Sequence, residues 1–180
     1  MSADSGARLD TEAILETLDR HRVRYVLIGG MAAVAHGWPG LTLDIDITPS
    51  TDRANLGRLA AALREMDAKL RVPDLDHEVE MKLDERAFDL GTTWTFVTRH
   101  GYLDVCLRPD GTAGYRDLIR QSVQREVFGL AVSVASLNDI IRSKRAAGRQ
   151  SDLTALPMLE RLASRIEERN RQQPADGENR

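Results

Sequence analysis

A short strand–helix–strand unit constrains the fold of this sequence more than any other feature. The apolar run from Tyr25 to Ile28 predicts a buried strand, which stops at Gly29 and Gly30. Small residues at positions 31–35 then predict a short helix. After it, residues 41–48 alternate between apolar and polar side chains, as in a strand with one buried face. The chain must therefore turn back quickly and lay two strands close together.

The remaining patterns predict an α/β (α+β) fold: a small mixed sheet flanked by helices, followed by a mainly helical C-terminal part. A helix capped by Asp10 opens the chain, and an amphipathic helix runs from about residue 52 to residue 70. Strands are predicted at 77–83, 93–98 and 103–107, and a two-strand stretch at 123–134 turns at Gly129. Helices are predicted at 114–121 and from Ser136 and Ser151 onward. Gly148 separates these last two helices, and Pro157 is expected to kink or restart the final one.

The length of 180 residues suits one compact unit. We predict a core over residues 10–112 and a mainly helical part over 113–169 packed on it. Residues 1–9 and 170–180 are polar and are predicted to be flexible tails.

Composition excludes several functional classes. The net charge of −3 argues against a strongly basic nucleic-acid-binding protein, although a local basic patch is compatible with it. The aromatic fraction of 4% argues against a protein that reads single strands mainly by base stacking. The single cysteine, Cys106, cannot form an internal disulfide, and neither a leader nor a membrane span is recognisable, so a cytoplasmic location is expected.

Asp44 and Asp46 carry the main chemical signal. On a strand, residues i and i+2 point to the same face, so these carboxylates converge and repel each other unless a cation or a proton lies between them. Carboxylate oxygens suit Mg²⁺ or Mn²⁺. An isolated Asp-x-Asp is also common on exposed edge strands. Upstream, Gly29 and Gly30 would let backbone N–H groups approach a phosphate at a helix start, although a plain strand-to-helix turn has the same pattern.

Gly29-Gly30, a short helix and then Asp44-Ile45-Asp46 resemble the signature of the DNA polymerase β-like nucleotidyltransferase superfamily. The resemblance implies a nucleoside triphosphate substrate, two Mg²⁺ or Mn²⁺ ions bound by Asp44 and Asp46, and release of pyrophosphate. It also implies a third carboxylate from a later strand. Asp104, within the run from Tyr102 to Cys106, is the best match, and Asp89 is the alternative.

The C-terminal segment is similar to minimal nucleotidyltransferases of the AbiEii and MenT toxin type. That resemblance implies that Thr42, Lys144, Arg149 and Asp152 bind the nucleotide, and that Lys144 is also catalytic as a point charge on the triphosphate. Lys144 has the plainer interpretation of a solvated lysine between Arg142 and Arg145. Asp152 has the plainer interpretation of complementing a helix N-terminus. Relatives often have an arginine just before the Thr-x-Asp-x-Asp stretch, where this chain has Gly40 and Leu41. Toxins of this type normally act with an antitoxin protein, which is therefore an expected partner.

The acceptor of the nucleotide is less constrained. Residues 113–149 hold seven basic and three acidic side chains, a net +4, which favours a polyanionic acceptor such as the 3′ end of tRNA. A drug-modifying enzyme acting on an aminoglycoside or lincosamide has the same core and would use an acidic acceptor pocket. The acidic residues available for such a pocket are Asp74, Asp76, Glu78 and Glu80. Protein AMPylation and an inactive nucleotide-binding module are further alternatives.

Overall fold

The computed structural model describes residues 9–75 and 77–172 and has mixed α/β architecture. Its helices are α1 (Thr11–Arg20), α2 (Gly29–Ala35), α3 (Arg53–Glu65), α4 (Tyr115–Gln121), α5 (Leu137–Ala147) and α6 (Gln150–Gln172), with one 3₁₀ turn at Ala87–Leu90. Its strands are β1 (Tyr25–Ile28), β2 (Asp44–Pro49), β3 (Lys69–Arg71), β4 (Thr93–Thr98), β5 (Gly101–Cys106), β6 (Val123–Val127) and β7 (Leu130–Val134). The predicted fold class is confirmed.

The seven strands form one mixed sheet in the order β3-β4-β5-β2-β1-β7-β6. Strand β2 lies antiparallel to β1 but parallel to β5, and β1 lies parallel to β7. The two hairpins, β4–β5 and β6–β7, are antiparallel. The strand–helix–strand unit inferred from the sequence is therefore at the centre of the sheet, with β5 added beside β2.

Side chains alternate between core and solvent along β4 and β5. Trp94 and Phe96 on β4 and Leu103 and Val105 on β5 are buried, and they join the core formed by the leucines of α1 and α3. The residues between them are exposed or half-buried. One face of this half of the sheet is thus packed, and the opposite face is open.

The helix predicted to reach residue 70 ends at Glu65. Asp67 has a φ of 53°, a left-handed conformation that an α-helix does not continue through. Leu70 belongs instead to β3, where it lies opposite Phe96 of β4. The strand predicted at residues 77–83 is reduced to an isolated bridge between Val79 and Leu70.

The strand predicted from residue 41 begins only at Asp44. Leu41 and Leu43 are 93% and 78% exposed, so the apolar alternation there does not mark a buried face. At the other end of the chain, α6 runs without interruption past Pro157, so the helix does not restart there. The predicted tails fall largely in 1–8 and 173–180, which lie outside the described residues, whereas 170–172 belong to α6.

A buried asparagine fixes the start of α3 against the sheet. The Asn55 side chain is fully buried; its Oδ1 accepts from the Arg24 N–H at 2.7 Å, and its Nδ2 donates to the carbonyls of Arg24 and Ser50 at 2.9 and 2.8 Å. These three bonds satisfy backbone groups just before β1 and just after β2. Asp52 caps the same helix by accepting from the Asn55 N–H at 3.1 Å.

Replacing Asn55 with alanine should lower the free energy of unfolding by about 2–4 kcal/mol, because the Arg24 N–H and the Ser50 carbonyl lose their buried partner and the Arg24 carbonyl keeps only the Ser50 N–H. Urea denaturation at equilibrium measures the change. Ser50→Ala removes a hydroxyl from the same turn but leaves the Ser50 carbonyl in place, and it should cost less than about 1 kcal/mol. Equal losses for the two variants would contradict this role of Asn55.

Candidate active site

The parallel pairing of β2 and β5 brings the aspartates together. Asp46 lies directly opposite Asp104 in the register, and Asp44 is on the same face of β2. One carboxylate oxygen from each of the three residues lies within 4.8 Å of the others. Asp89 is not part of this cluster: it lies in the 3₁₀ turn, where it accepts from Arg53 at 3.0 Å.

The environment of Asp46 disfavours the charged form of its carboxylate. Burial, followed by repulsion from Asp44 and Asp104, raises the pKa of Asp46 to about 7. A backbone hydrogen bond from Gly30 and the charge of Lys144 oppose this shift. Without a cation, the cluster therefore retains a proton near neutral pH.

Asp104 adds an unsatisfied ligand atom. Burial is the largest cause of its raised pKa, and Asp44 adds repulsion. Its Oδ1 is buried and has no hydrogen-bond partner among residues 9–75 and 77–172. An orphaned carboxylate oxygen beside two further carboxylates is a donor set that fits Mg²⁺ or Mn²⁺.

Thr42 orients Asp44. Its hydroxyl donates to Asp44 Oδ1 at 2.8 Å. Gly30 lies against this hydroxyl so closely that a Cβ there would be 2.8 Å from Thr42 Oγ1. The predicted nucleotide-binding residue Thr42 thus lies at the edge of the carboxylate cluster.

Gly29 has a local reason to be glycine. Its φ is +65°, and a Cβ built on it would lie 2.0 Å from Asp46 Oδ2. The backbone of α2 therefore approaches the Asp46 carboxylate at a distance that no other residue type permits. The Gly29-Gly30 pair makes room for Asp46 and Thr42, whatever its contact with a phosphate.

Two cations face the cluster from the helical part. Asp152 of α6, with a side chain only 5% exposed, accepts from Lys144 Nζ and from Arg149 Nε, both at 2.7 Å. Burial alone would raise the pKa of Asp152, but the hydrogen bonds from Lys144 and Arg149 hold it below its usual value. Asp152 thus holds both cations in place and does more than complement a helix end.

The cleft at these residues consists of two adjoining cavities. Gly29, Asp46 and Asp104 line both on the sheet side, and the three charged residues of the Lys144–Asp152–Arg149 group line both on the helical side. One cavity, of about 180 Å³, extends to Thr93 and Asp110, and the other, of about 410 Å³, extends to Trp38 and Thr42. Asp110, Ser143 and Ser151 also line the cleft, and no spacing in the sequence indicated them.

The basic residues predicted to form a patch are mostly engaged in ion pairs. Arg120 and Arg142 pair with Asp117, and Arg145 pairs with Glu160. Lys144 and Arg149 share Asp152. Among the described residues only Arg116 and Arg125 of the seven have no ion-pair partner. The net charge of this segment therefore overstates the cation density available to a polyanion.

No protein-family model matches this chain, and no curated protein sequence is similar to it. Solved structures with a similar fold include two proteins linked to antibiotic resistance. One is the lincosamide antibiotic adenylyltransferase LnuA with lincomycin bound, at 15% identity and a TM-score of 0.59, covering 86% of this chain and 99% of that chain. The other is the antibiotic-resistance factor ANT(2″)-Ia, at 16% identity and a TM-score of 0.52, covering 89% and 90%.

These likenesses confirm the nucleotidyltransferase fold expected from the glycine and aspartate motifs. They do not bear on the narrower resemblance to toxins. None of the helices in residues 9–75 and 77–172 is both long and apolar enough to cross a membrane.

Replacing Gly29 with alanine should weaken metal binding as well as lower stability. The left-handed backbone at this position strains any residue with a Cβ, and the added methyl also displaces the Asp46 carboxylate. The expected result is a loss of Mn²⁺ affinity of at least about 10-fold, which isothermal titration calorimetry measures, since a ligand has moved. Gly129→Ala is the matched control: its φ is +75° and a Cβ there has nothing within 4 Å. It should lose about 1–2 kcal/mol of stability and keep its Mn²⁺ affinity.

The raised pKa of Asp46 sets the pH dependence of the metal-free protein. The folded protein keeps the Asp46 proton up to about pH 7, whereas in the unfolded chain this aspartate has its ordinary pKa of 3.8 and loses the proton at lower pH. The folded state thus binds more protons between these values, so stability falls as the pH rises from about 4 to about 7.

Urea midpoints in EDTA from pH 5 to pH 8 measure this slope. Asp46→Asn should flatten it, and Asp89→Asn, which lies outside the cluster, should keep it. A slope shared by all three proteins would assign the pH dependence to other groups.

Proposed function

We propose that this protein is a metal-dependent nucleotidyltransferase that transfers a nucleoside monophosphate from a triphosphate to an acceptor hydroxyl. The observation that carries the proposal is the cluster of Asp44, Asp46 and Asp104 across two parallel strands, with the orphaned Asp104 Oδ1 inside it. Lys144 and Arg149 face the cluster across the cleft. A carboxylate cluster that faces two cations across one cleft suits a metal–triphosphate complex.

Each residue has a distinct task in this reaction. Asp44 and Asp46 would hold the metal ions, and Thr42 fixes the orientation of Asp44 through a hydrogen bond. Lys144 and Arg149 bind the phosphates of the nucleotide, and Asp152 holds both side chains in the cleft before the nucleotide arrives. Asp104 would ligate metal, and its Oδ1, which has no hydrogen-bond partner among the described residues, can accept the proton of the acceptor hydroxyl.

Bonds and charges balance in one in-line displacement. A bond forms between the acceptor oxygen and the α-phosphorus, and the bond from the α-phosphorus to the bridging oxygen of pyrophosphate breaks. Bound Mg²⁺ or Mn²⁺ would supply a lower pKa for the acceptor hydroxyl and neutralise charge on the pyrophosphate.

The acceptor we favour is the 3′ end of an RNA, tRNA above all, as in toxin-type enzymes that act with an antitoxin. A second candidate is a lincosamide or aminoglycoside. Its support is that LnuA, an enzyme that modifies such a drug, matches this fold over 99% of its own length. The exposed Asp74, Glu78 and Glu80 are available to a cationic drug, whereas Asp76 lies outside the described residues.

Incubation of the protein with each α-³²P-labelled nucleoside triphosphate, Mg²⁺ and one acceptor at a time tests the proposal. The acceptors are total tRNA, kanamycin, lincomycin and the protein itself. Label should enter tRNA, and Asp46→Asn should reduce its transfer by at least about 100-fold, because the metal supplies several kcal/mol of stabilisation to the transition state.

Asp89→Asn should transfer label at the wild-type rate, since Asp89 lies outside the cluster. Equal activity of wild type and Asp46→Asn would overturn the assignment of the site. Label entering only a drug or the protein itself would keep the reaction and replace the acceptor.

A further inference from the structure

The open face of the sheet continues outward from the aspartates. Directly opposite residues in a sheet point to the same side, and the register aligns Asp46 with Asp104, Asp104 with Thr95 and Thr95 with Arg71. Two strand spacings of about 4.8 Å put the Arg71 Cα about 10 Å from the Asp104 Cα. Arg71 is exposed on the same side as the carboxylate cluster.

A second row runs beside the first. Asp44 lies opposite Tyr102, Tyr102 opposite Val97, and Val97 opposite Lys69. Lys69 is exposed, and Tyr102 is half-buried. The two rows together define a surface, here called the β3–β5 face, that consists of Lys69, Arg71, Thr95, Val97 and Tyr102.

The chemistry of the β3–β5 face differs from that of the cleft. The guanidinium of Arg71 lies over the Tyr102 ring, with its Cζ 5.4 Å from the ring centroid. No ion pair joins Lys69 or Arg71 to another described residue. The charge of Arg71 reaches the cluster, since it helps to lower the pKa of Asp104 against the stronger effect of burial. An aromatic ring and two cations thus continue the open face outward from the carboxylates towards β3.

We infer that the β3–β5 face binds the acceptor, and that this acceptor is the 3′-terminal part of a single-stranded nucleic acid. This rests on the proposed function. Arg71 and Lys69 contact the phosphates, and a base stacks on Tyr102 or on the guanidinium plane above it. The terminal hydroxyl then reaches Asp104 along the open face of the sheet, from the direction of β3.

The order of charges from the edge of the sheet to the aspartates argues against a cationic drug as the acceptor. Glu78 and Glu80 flank Val79, whose bridge to Leu70 places them beyond β3, farther from the cluster than Arg71. A polycation that enters from that edge would meet Lys69 and Arg71 before the aspartates. A polyanion meets two cations and an aromatic ring next to the reacting group.

Fluorescence anisotropy with a 5′-fluorescein single-stranded RNA octamer, in Mg²⁺ and without nucleotide, tests the inference independently of transfer. Tyr102→Leu should weaken binding by about 5- to 100-fold, the range for one lost base stack, whereas Tyr102→Phe should stay near wild type. Arg71→Ala should weaken binding and reduce the slope of log affinity against log salt concentration by about 0.7, the value for one lost phosphate contact.

Arg86→Ala is the matched control. It removes the same charge from an exposed position. The residue before it, Glu85, lies beside Gly57 of α3, so this segment is not part of the β3–β5 face. Its RNA affinity should be unchanged. Thermal melting of each variant confirms that it is folded, and Arg71→Lys, which preserves the charge, should recover the salt slope.

The outcomes separate the inference from the proposed function. RNA affinity that is unaffected by Tyr102→Leu and Arg71→Ala overturns the inference, even if label enters tRNA. Kanamycin that becomes a better acceptor in Arg71→Ala, with no RNA binding by wild type, also overturns it. RNA binding that depends on both residues supports the β3–β5 face, and absence of label transfer in the same preparation would then count against the proposed reaction alone.

Discussion

The repulsion between neighbouring carboxylates on β2 and β5 is the constraint around which the rest of this structure is organised. Parallel pairing sets Asp46 against Asp104, and burial makes their negative charge more costly than it would be in water. Several features reduce that cost: a backbone N–H at Gly30, the hydroxyl of Thr42 and the ammonium of Lys144. None of them removes it, so the cluster is complete only with a proton or a cation. A fold selected for stability alone would place apolar side chains at these central positions.

The centre of the fold was predictable because its signals are local. The run from Tyr25 to Ile28, the small residues after Gly29 and the alternation of Asp44 with Ile45 each indicate one element, and each element is present. Errors arose where tertiary pairing decided the outcome. Leu70 continued a helical pattern but pairs with Phe96 in the sheet, and Leu43 continued a strand pattern but is exposed. In both cases the spacing of apolar residues was misleading because it records amphipathicity without recording a partner.

The residues of the candidate site also differ in whether a local pattern or tertiary pairing brings them together. Asp44 and Asp46 are two residues apart, so strand geometry alone places them together. Asp104 required a resemblance to choose it over Asp89, because no single-sequence rule specifies which distant strand pairs with β2. The joint role of Asp152 with Lys144 and Arg149 was hidden for a different reason: it depends on how α6 packs beside α5 after a connection of two residues. Arg71 gave no signal, because its proximity to the cluster exists only in the register of β3, β4 and β5. Tyr102 lies two residues before Asp104 on the same face of β5, but its contact with Arg71 depends on that register.

The pairing of Lys144 and Arg149 with Asp152 orders two long side chains at once. Asp152 Oδ1 accepts from Lys144 Nζ and Oδ2 accepts from Arg149 Nε, each at 2.7 Å, so the remaining N–H groups of both cations are left for a second anion. A free lysine or arginine loses rotamer freedom when it binds a ligand, and these two side chains have already lost much of it. The same contact also sets the charge of the group: one carboxylate offsets one of two positive charges, so the trio faces the three aspartates of the sheet with a net charge of +1.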